Sequence, residues 1–210
     1  GFAAGEIEAV LAKGRKQPRI LEIMSKPAES VLRWHEYSAK LVTAERMDAG
    51  ARFWTEHRSA LERTAQRSGV GPQFMPSSYR NYAVDGDGDG RRDLFDDWDD
   101  VIASVANYFA VHGWQRGAPV LAEAEAPAEV AAALDRRNLD LKDTVGALRS
   151  RNVTLDASFD AALPAMLLPA EGPERLGVRV GFKNFQVITR YNRSILYAMA
   201  VHDLATGIAR

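Results

Sequence analysis

The sequence predicts a mainly α, α+β fold, on three observations. Apolar residues recur at helical spacing near the start, in the middle and at the end of the chain. Short β-like runs punctuated by proline and glycine fill 118–182, and an aspartate–glycine turn, Asp85-Gly86-Asp87-Gly88-Asp89-Gly90, precedes the central helix. At 210 residues, 46% hydrophobic and 26% charged, the chain is long enough for one compact domain, alone or with a small appendage. A net charge of −1 argues against a general nucleic-acid binder. With no cysteine, disulfides, thiol catalysis and zinc–thiolate sites are excluded. No apolar run approaches transmembrane length. The opening Gly1-Phe2-Ala3-Ala4 has neither a Met nor a basic leader, so the chain is expected to begin inside a longer precursor.

Residues 1–70 read as helical. Ile7, Val10 and Leu11 fall at helical spacing, and Pro18 opens a short helix through Met24. Thr43 is placed to cap a long helix in which Met47, Trp54, Leu61 and Ala65 form one apolar stripe, with Gly69 as its stop. Trp34, Phe53 and Trp54 are expected in the core rather than stacked on a ligand. A helix over 97–112 buries Val101, Val105, Tyr108 and Phe109 on one face and ends at Gly113. In 118–182, helical pieces Glu129–Leu134 and Thr144–Arg149 alternate with β-like runs Val120–Ala122, Ala165–Leu168 and Val178–Phe182, a small antiparallel subdomain. The chain returns to helix from Phe185 to about Ala205, with Ile188, Asn192, Ile195 and Met199 on one side, and C-terminal helices over 183–210 close it. The organisation expected is therefore 1–70, 71–117, 118–182 and 183–210.

The aspartate turn carries the clearest chemistry. Carboxylates at alternate positions with a glycine at the sixth match the front half of an EF-hand-like calcium loop. A hard cation needs several oxygens converging from one tight turn, and three crowded carboxylates repel each other without one. The expected ligands are Asp85, Asp87, Asp89 and the carbonyl of Arg91. Asp96 stands where a Glu normally closes the loop and is one methylene short, so closure passes to Asp100 in preference to Asp99 or Asp96. A solvated Asp-Gly turn is the plainer alternative.

The words around this loop resemble one family. Gln73-Phe74-Met75-Pro76-Ser77-Ser78-Tyr79, the Asp loop, Ser104-Val105-Ala106-Asn107-Tyr108-Phe109, Asn184 to Arg193 (NFQVITRYNR) and Tyr197-Ala198-Met199-Ala200-Val201 occur in the order found in the lytic murein transglycosylase B family. The Phe53-Trp54 and Pro27-Ala28-Glu29 stretches extend the likeness over most of the chain. The resemblance implies a lysozyme-like helical core and cleavage, without water, of the bond between N-acetylmuramic acid and N-acetylglucosamine, leaving a 1,6-anhydro end. It also implies a structural calcium, a peptidoglycan substrate, a monomer and a periplasmic location, with a lipid anchor to the outer membrane left open. By the family's words, Gln73, Phe74, Tyr108, Tyr191, Asn192 and Tyr197 would line the cleft. Ser77 and Ser78 read as helix caps.

One departure outweighs the matches. The family's catalytic Glu lies in an apolar Ile-Gly-Val-Glu-Thr-like run, and this chain has none. Ser68-Gly69-Val70 meets Gly71-Pro72-Gln73 where that segment belongs. Either residues of the polypeptide are left out of the numbering, or the protein lacks them. The first is expected, and then the Val70 and Gly71 Cα atoms should lie well beyond about 3.8 Å. The acid must be protonated near neutral pH in a dry pocket. Glu62, among Arg58, Arg63 and Arg67, has no such setting, so no catalytic residue is assigned. The rival readings are a non-catalytic murein-binding or scaffold protein on the same fold, and a dockerin-like calcium module. The four His show no metal spacing, and Lys13, Arg15, Lys16 and Arg19 read as a solvated face.

Overall fold

The computed structural model describes residues 32–61, 76–135, 137–173 and 176–209. The chain divides into Gly1–Leu32 and Arg33–Arg210. Of the first unit only Leu32 is described; the second holds the helices and the sheet. The expected helices over Ile7–Leu11 and Pro18–Met24, the Val70–Gly71 junction, and Gln73 and Phe74 lie outside the described residues.

Helix α1 (Trp34–Leu41) begins where Glu36 accepts the Arg33 N–H at 2.8 Å, and it buries Trp34 and Tyr37. Thr43 caps α2 (Ala44–Glu56) by accepting the Arg46 N–H, as the sequence predicts. The long helix expected onward to Gly69 breaks at His57, and the chain is helical again over 58–61. Trp54 is a correction: it is 47% exposed, not core. Helix α2 meets the C-terminal helix at Gly50, where a Cβ would lie 2.3 Å from Ile208, and at Met47, which touches Gly207. Trp54 lies one turn past Gly50 on α2.

Helix α3 (Pro76–Tyr82) leads into the Asp loop, and α4 (Trp98–Val111) follows it. Asp97 caps α4, accepting the Asp99 and Asp100 N–H groups at 2.8 and 3.3 Å. Ile102, Val105 and Ala106 are fully buried on α4, and Gly113, at φ 89°, ends it as expected. Strand β1 (Leu121–Glu125), α5 (Ala128–Ala132), β2 (Asp143–Thr144), α6 (Val145–Ser150), β3 (Thr154–Leu155), β4 (Pro164–Pro169) and β5 (Val178–Gly181) then build an antiparallel sheet in the order β2-β4-β5-β1-β3. One sheet face presents Ala165, Leu167, Val178 and Val180 to a core shared with Val145, Leu148 and Phe182. The sheet matches the three β-like runs; the two-residue strands β2 and β3 are too short to leave a periodic signal.

The helical stretch expected from Phe185 to about Ala205 is interrupted at Asn192–Ser194 and forms two helices. Helix α7 (Lys183–Tyr191) ends at Asn192, which is extended at φ −133° and ψ 117°. Helix α8 (Ile195–Ile208) restarts with Ser194 as N-cap, accepting the Tyr197 N–H at 3.1 Å. The Asn192–Ser194 break follows from that cap: a serine hydroxyl offers the backbone an acceptor outside the helix ladder. Asn192 therefore lies outside any apolar helical stripe. The buried amide here is Asn184 (0% exposed). Its Nδ2 donates to the Gln115 and Ala118 carbonyls at 2.8 and 3.0 Å, and its Oδ1 accepts the Gln115 N–H at 2.8 Å. This pins the start of α7 to the loop leaving α4.

The other sheet face is tied to α8 through Arg179. Its guanidinium donates to both carboxylate oxygens of Asp203 at 3.1 and 2.9 Å, meets Glu123 at 2.6 Å, and lies 5.2 Å from the centroid of the Trp34 ring. His202, beside this node, has its pKa lowered from 6.5, chiefly by burial; Arg179 lowers it further, and Asp203 and Glu123 oppose the shift. The folded chain thus resists protonating His202, while the unfolded chain protonates it near 6.5. Stability is full above 6.5 and falls as pH drops through it, levelling off below the folded value. Urea midpoints at about pH 7.5 and about pH 5.5 should show this decline, and His202→Gln should remove it. The carboxylates Asp85, Asp93 and Asp156, all lowered from 3.8, titrate in a separate, more acid window.

Candidate functional site

The Asp loop is held by one polar face of α4. Asp100, Ser104 and Asn107 recur at helical spacing and each binds backbone of the 82–93 segment. Asn107 Nδ2 donates to the Tyr82 carbonyl at 2.9 Å, and Ser104 Oγ accepts the Val84 N–H at 2.9 Å. Asp100, 1% exposed, accepts the Gly86 N–H on Oδ1 at 2.6 Å and the Asp93 N–H on Oδ2 at 2.5 Å. Gly86 is required by proximity, since a Cβ there would lie 2.2 Å from the Asp99 carbonyl oxygen. Gly88 and Gly90 take φ of 91° and 87°, which only glycine adopts without strain.

This gathers Asp85, Asp87 and Asp100, whose carboxylate oxygens lie within 4.8 Å of one another. Of the three candidates for closing the loop, this group contains Asp100 and neither Asp96 nor Asp99. Asp89 also falls outside it, accepting the Arg91 N–H at 2.7 Å. The Gly90 and Gly88 N–H groups bind Asp85 and hold its carboxyl below the usual range. For Asp87 the Asp89 N–H pulls the other way from desolvation and from the charges of Asp89, Asp97 and Asp85; these prevail and its carboxyl is raised. Crowded carboxylates on a curled backbone form an all-oxygen donor set, which suits a hard divalent cation and not a soft metal.

Nearer the C-terminal end of α4 an aromatic cluster assembles from four helices. Tyr108 (6% exposed) stacks near His112 at 4.1 Å between ring centroids, meets Tyr82 edge-on at 4.9 Å, and meets Tyr191 edge-on at 6.4 Å. Tyr191 lies 6.0 Å from Tyr197. Burial first, then the neighbouring Tyr82, raises the Tyr108 phenol above its ordinary pKa, so it stays a neutral hydroxyl. Tyr191 closes α7, Asn192 follows in the break, and Tyr197 stands in the first turn of α8. Tyr191, Asn192 and Tyr197 are all half-buried. Of the expected cleft residues, the structure therefore brings Tyr108, Tyr191 and Tyr197 into one cluster, with Asn192 adjoining. Tyr82 and His112 belong to the same cluster, beyond what the sequence predicts. The signal for His112 is its place four residues after Tyr108, on the same helix face.

Rings and polar tips arranged this way suit a ligand with apolar faces and many hydroxyls. Among the described residues two carboxylates are buried, Asp100 and Glu171. Asp100 serves the loop. Glu171 follows β4 beside a recess lined by Trp34, Glu123 and Arg179.

Comparison with known proteins adds to this geometry. The family model described as a transglycosylase SLT domain matches residues 1–72 and 71–206, two stretches that meet at residues 71 and 72. The membrane-bound lytic murein transglycosylase B of Escherichia coli (strain K12) is 26% identical over 292 aligned positions, covering all of this chain and 79% of the relative. The soluble lytic transglycosylase SltB1 from Pseudomonas aeruginosa superposes with a TM-score of 0.83 at 29% identity, covering 100% of this chain and 94% of that one. The E. coli lytic transglycosylase Slt35 in complex with calcium gives 0.80 at 25% identity, covering 100% and 88%.

Proposed function

The chain belongs to the family of transglycosylase SLT domains, and on that footing we propose that it is built for lytic cleavage of peptidoglycan. The bond is the β-1,4 link between N-acetylmuramic acid and N-acetylglucosamine, and the products carry 1,6-anhydro ends. The observation that carries this reading is the cluster of Tyr108, Tyr191 and Tyr197 beside Asn192, which offers ring faces and polar tips to an amino-sugar chain.

The proton donor is the missing part. In this chemistry a carboxylic acid protonates the glycosidic oxygen, and its carboxylate then assists attack of the substrate's own C6 hydroxyl on C1. Among the described residues the charged or titratable groups acting on the Tyr108 phenol are Tyr82, Arg190 and Tyr191, none of them a carboxyl. The family match breaks at residues 71–72, and the alignment to the E. coli relative runs to 292 positions against 210 residues here. Both support placing the acid-bearing segment between Val70 and Gly71, where this sequence has none. A second reading, a murein-binding protein that holds glycan without cutting it, is favoured by the absence of an acid beside the cluster among the described residues.

Calcium fits the Asp85–Asp87–Asp100 group and would act as a brace, neutralising the loop and tying it to α4. The calcium complex of Slt35 is consistent with that role. A peptidoglycan substrate supports a periplasmic location; among the described residues no helix is long and apolar enough to cross a membrane.

Binding separates these readings from unrelated ones. Purified glycan strands should bind the chain saturably, and Tyr191→Ala or Tyr197→Ala should each weaken the Kd about tenfold, the loss of roughly one ring contact. Wild-type Kd values in both variants would reject the tyrosine groove. The 210-residue chain alone should release no anhydro ends from sacculi, since it lacks the acid.

A further inference from the structure

The recess lined by Trp34, Glu123, Ala170, Gly172, Gly177 and Arg179 shares no residue with the tyrosine cluster. Its volume is about 170 Å³. Its walls are held by backbone contacts. The Ala170 N–H donates to the Gly177 carbonyl at 2.8 Å, and a Cβ on Gly177 would lie 2.4 Å from the Ala170 carbonyl oxygen. The Glu171 carbonyl accepts the His35 N–H at 3.1 Å, which ties this stretch to α1 beside Trp34. Glu123 and Arg179 pair in register across β1 and β5, and their side chains meet at 2.6 Å. The guanidinium also lies 5.2 Å from the centroid of the Trp34 ring, so the three groups stand together. Two polar atoms there are unspent. Arg179 Nη1 donates to Asp203 and Nη2 meets Glu123 Oε1, while the Nε–H has no acceptor among the described residues. No buried side-chain donor among those residues lacks a partner, so this N–H reaches solvent. Glu123 Oε2 likewise has no donor, on a side chain that is 78% exposed.

We propose that this recess binds a single neutral sugar ring, one hydroxyl accepting the Arg179 Nε–H and a neighbouring hydroxyl donating to Glu123 Oε2, with Trp34 as the apolar wall. The subsite belongs to the sheet, and it does not rest on the reading of the tyrosines as a glycan groove. Charge selects the ligand class. Two carboxylates, Asp203 and Glu123, face one guanidinium, so an anion meets surplus negative charge. A cation satisfies Glu123 and leaves the Arg179 N–H opposed to it. A hydroxyl is both donor and acceptor, so adjacent hydroxyls on a neutral ring serve both groups at once. Size sets the limit. Sites for drug-sized ligands run to about 300–1,000 Å³, and this smaller recess takes one ring, not a strand.

The probe is N-acetylglucosamine, titrated into the isotope-labelled chain and followed by backbone amide shifts in NMR. The Ala124, Val178 and Arg179 amides should move together and saturate, with a Kd of roughly millimolar order for so small a ligand. Glu123→Ala, at an exposed strand position, should weaken that Kd about tenfold, the scale of one hydrogen bond to a charged group. Its melting temperature should stay within about 2 °C of wild type. Glu129→Ala, which removes an exposed acid outside the recess, should keep the affinity, and Tyr191→Ala should leave the recess shifts in place. Methylammonium and acetate should move these amides less than the sugar does. Absence of a saturable shift at the three amides overturns the subsite. So does a wild-type Kd in Glu123→Ala, an equal loss in Glu129→Ala, or tighter binding of either charged probe. Recess shifts that vanish in Tyr191→Ala would assign them to the tyrosine cluster and overturn it too. A failed tyrosine groove would leave the recess shifts untouched, so the two readings fail separately.

Discussion

Asp100→Ala should lower the melting temperature by about 10 °C and abolish its response to calcium. The Asp100 carboxylate is 1% exposed, and each oxygen accepts one backbone N–H, from Gly86 and from Asp93. Alanine leaves both donors without that acceptor, at about 1–3 kcal/mol each. A domain of this size loses about 2–4 °C per kcal/mol. The substitution also removes one of the three carboxylates that converge in the loop. With wild type, chelator should lower the melting temperature and added calcium should restore it. An ion present at about a hundred times its Kd contributes about 2.7 kcal/mol. Asp100→Ala should start low and move with neither reagent. Asp100→Asn keeps one acceptor oxygen and should fall between. A wild-type calcium response in Asp100→Ala would remove Asp100 from the ligand set, and no response in wild type would reject the cation altogether.

The loop is legible in the sequence because its chemistry is local. Alternate aspartates and interleaved glycines specify a curled backbone within a few residues, and Asp100 lies at the start of the next helix. Thr43, Gly113 and the three longer strands are readable for the same reason: a cap, a stop and β-like runs act over one turn or one strand. Trp54 departs from its expected burial because exposure depends on which elements pack against α2, and helical spacing within α2 does not carry that. The break at Asn192–Ser194 is hidden because the apolar spacing of Ile188, Ile195 and Met199 runs through it, while a single serine cap interrupts the backbone. Tyr82 enters the cluster through helix–helix packing, which spacing alone does not reveal, whereas His112 is legible from its place four residues after Tyr108. Asn184, fully buried and triply bonded, carries structural weight that its sequence neighbourhood gives no reason to expect.

On the proposed placement of the acid-bearing segment between Val70 and Gly71, the largest change in activity should come from supplying that segment. The contacts of the tyrosine cluster and the Asp loop described above are made between residues that all follow the Val70–Gly71 junction in sequence. Inserting the relative's intervening segment at that junction should therefore add a proton donor to a groove already shaped. General acid participation contributes about 10²–10⁴ in rate, so a chain with no measurable turnover should acquire one. The insert with its glutamate replaced by glutamine should fold alike, as judged by melting temperature, and fall back to the inactive level.

Mass spectrometry of muropeptides released from purified sacculi by that insertion chain tests the account most directly. It predicts fragments ending in 1,6-anhydro-N-acetylmuramic acid from the glutamate form and none from the glutamine form. A folded, glycan-binding insertion chain that releases no fragments, or releases only hydrolysed reducing ends, would contradict it.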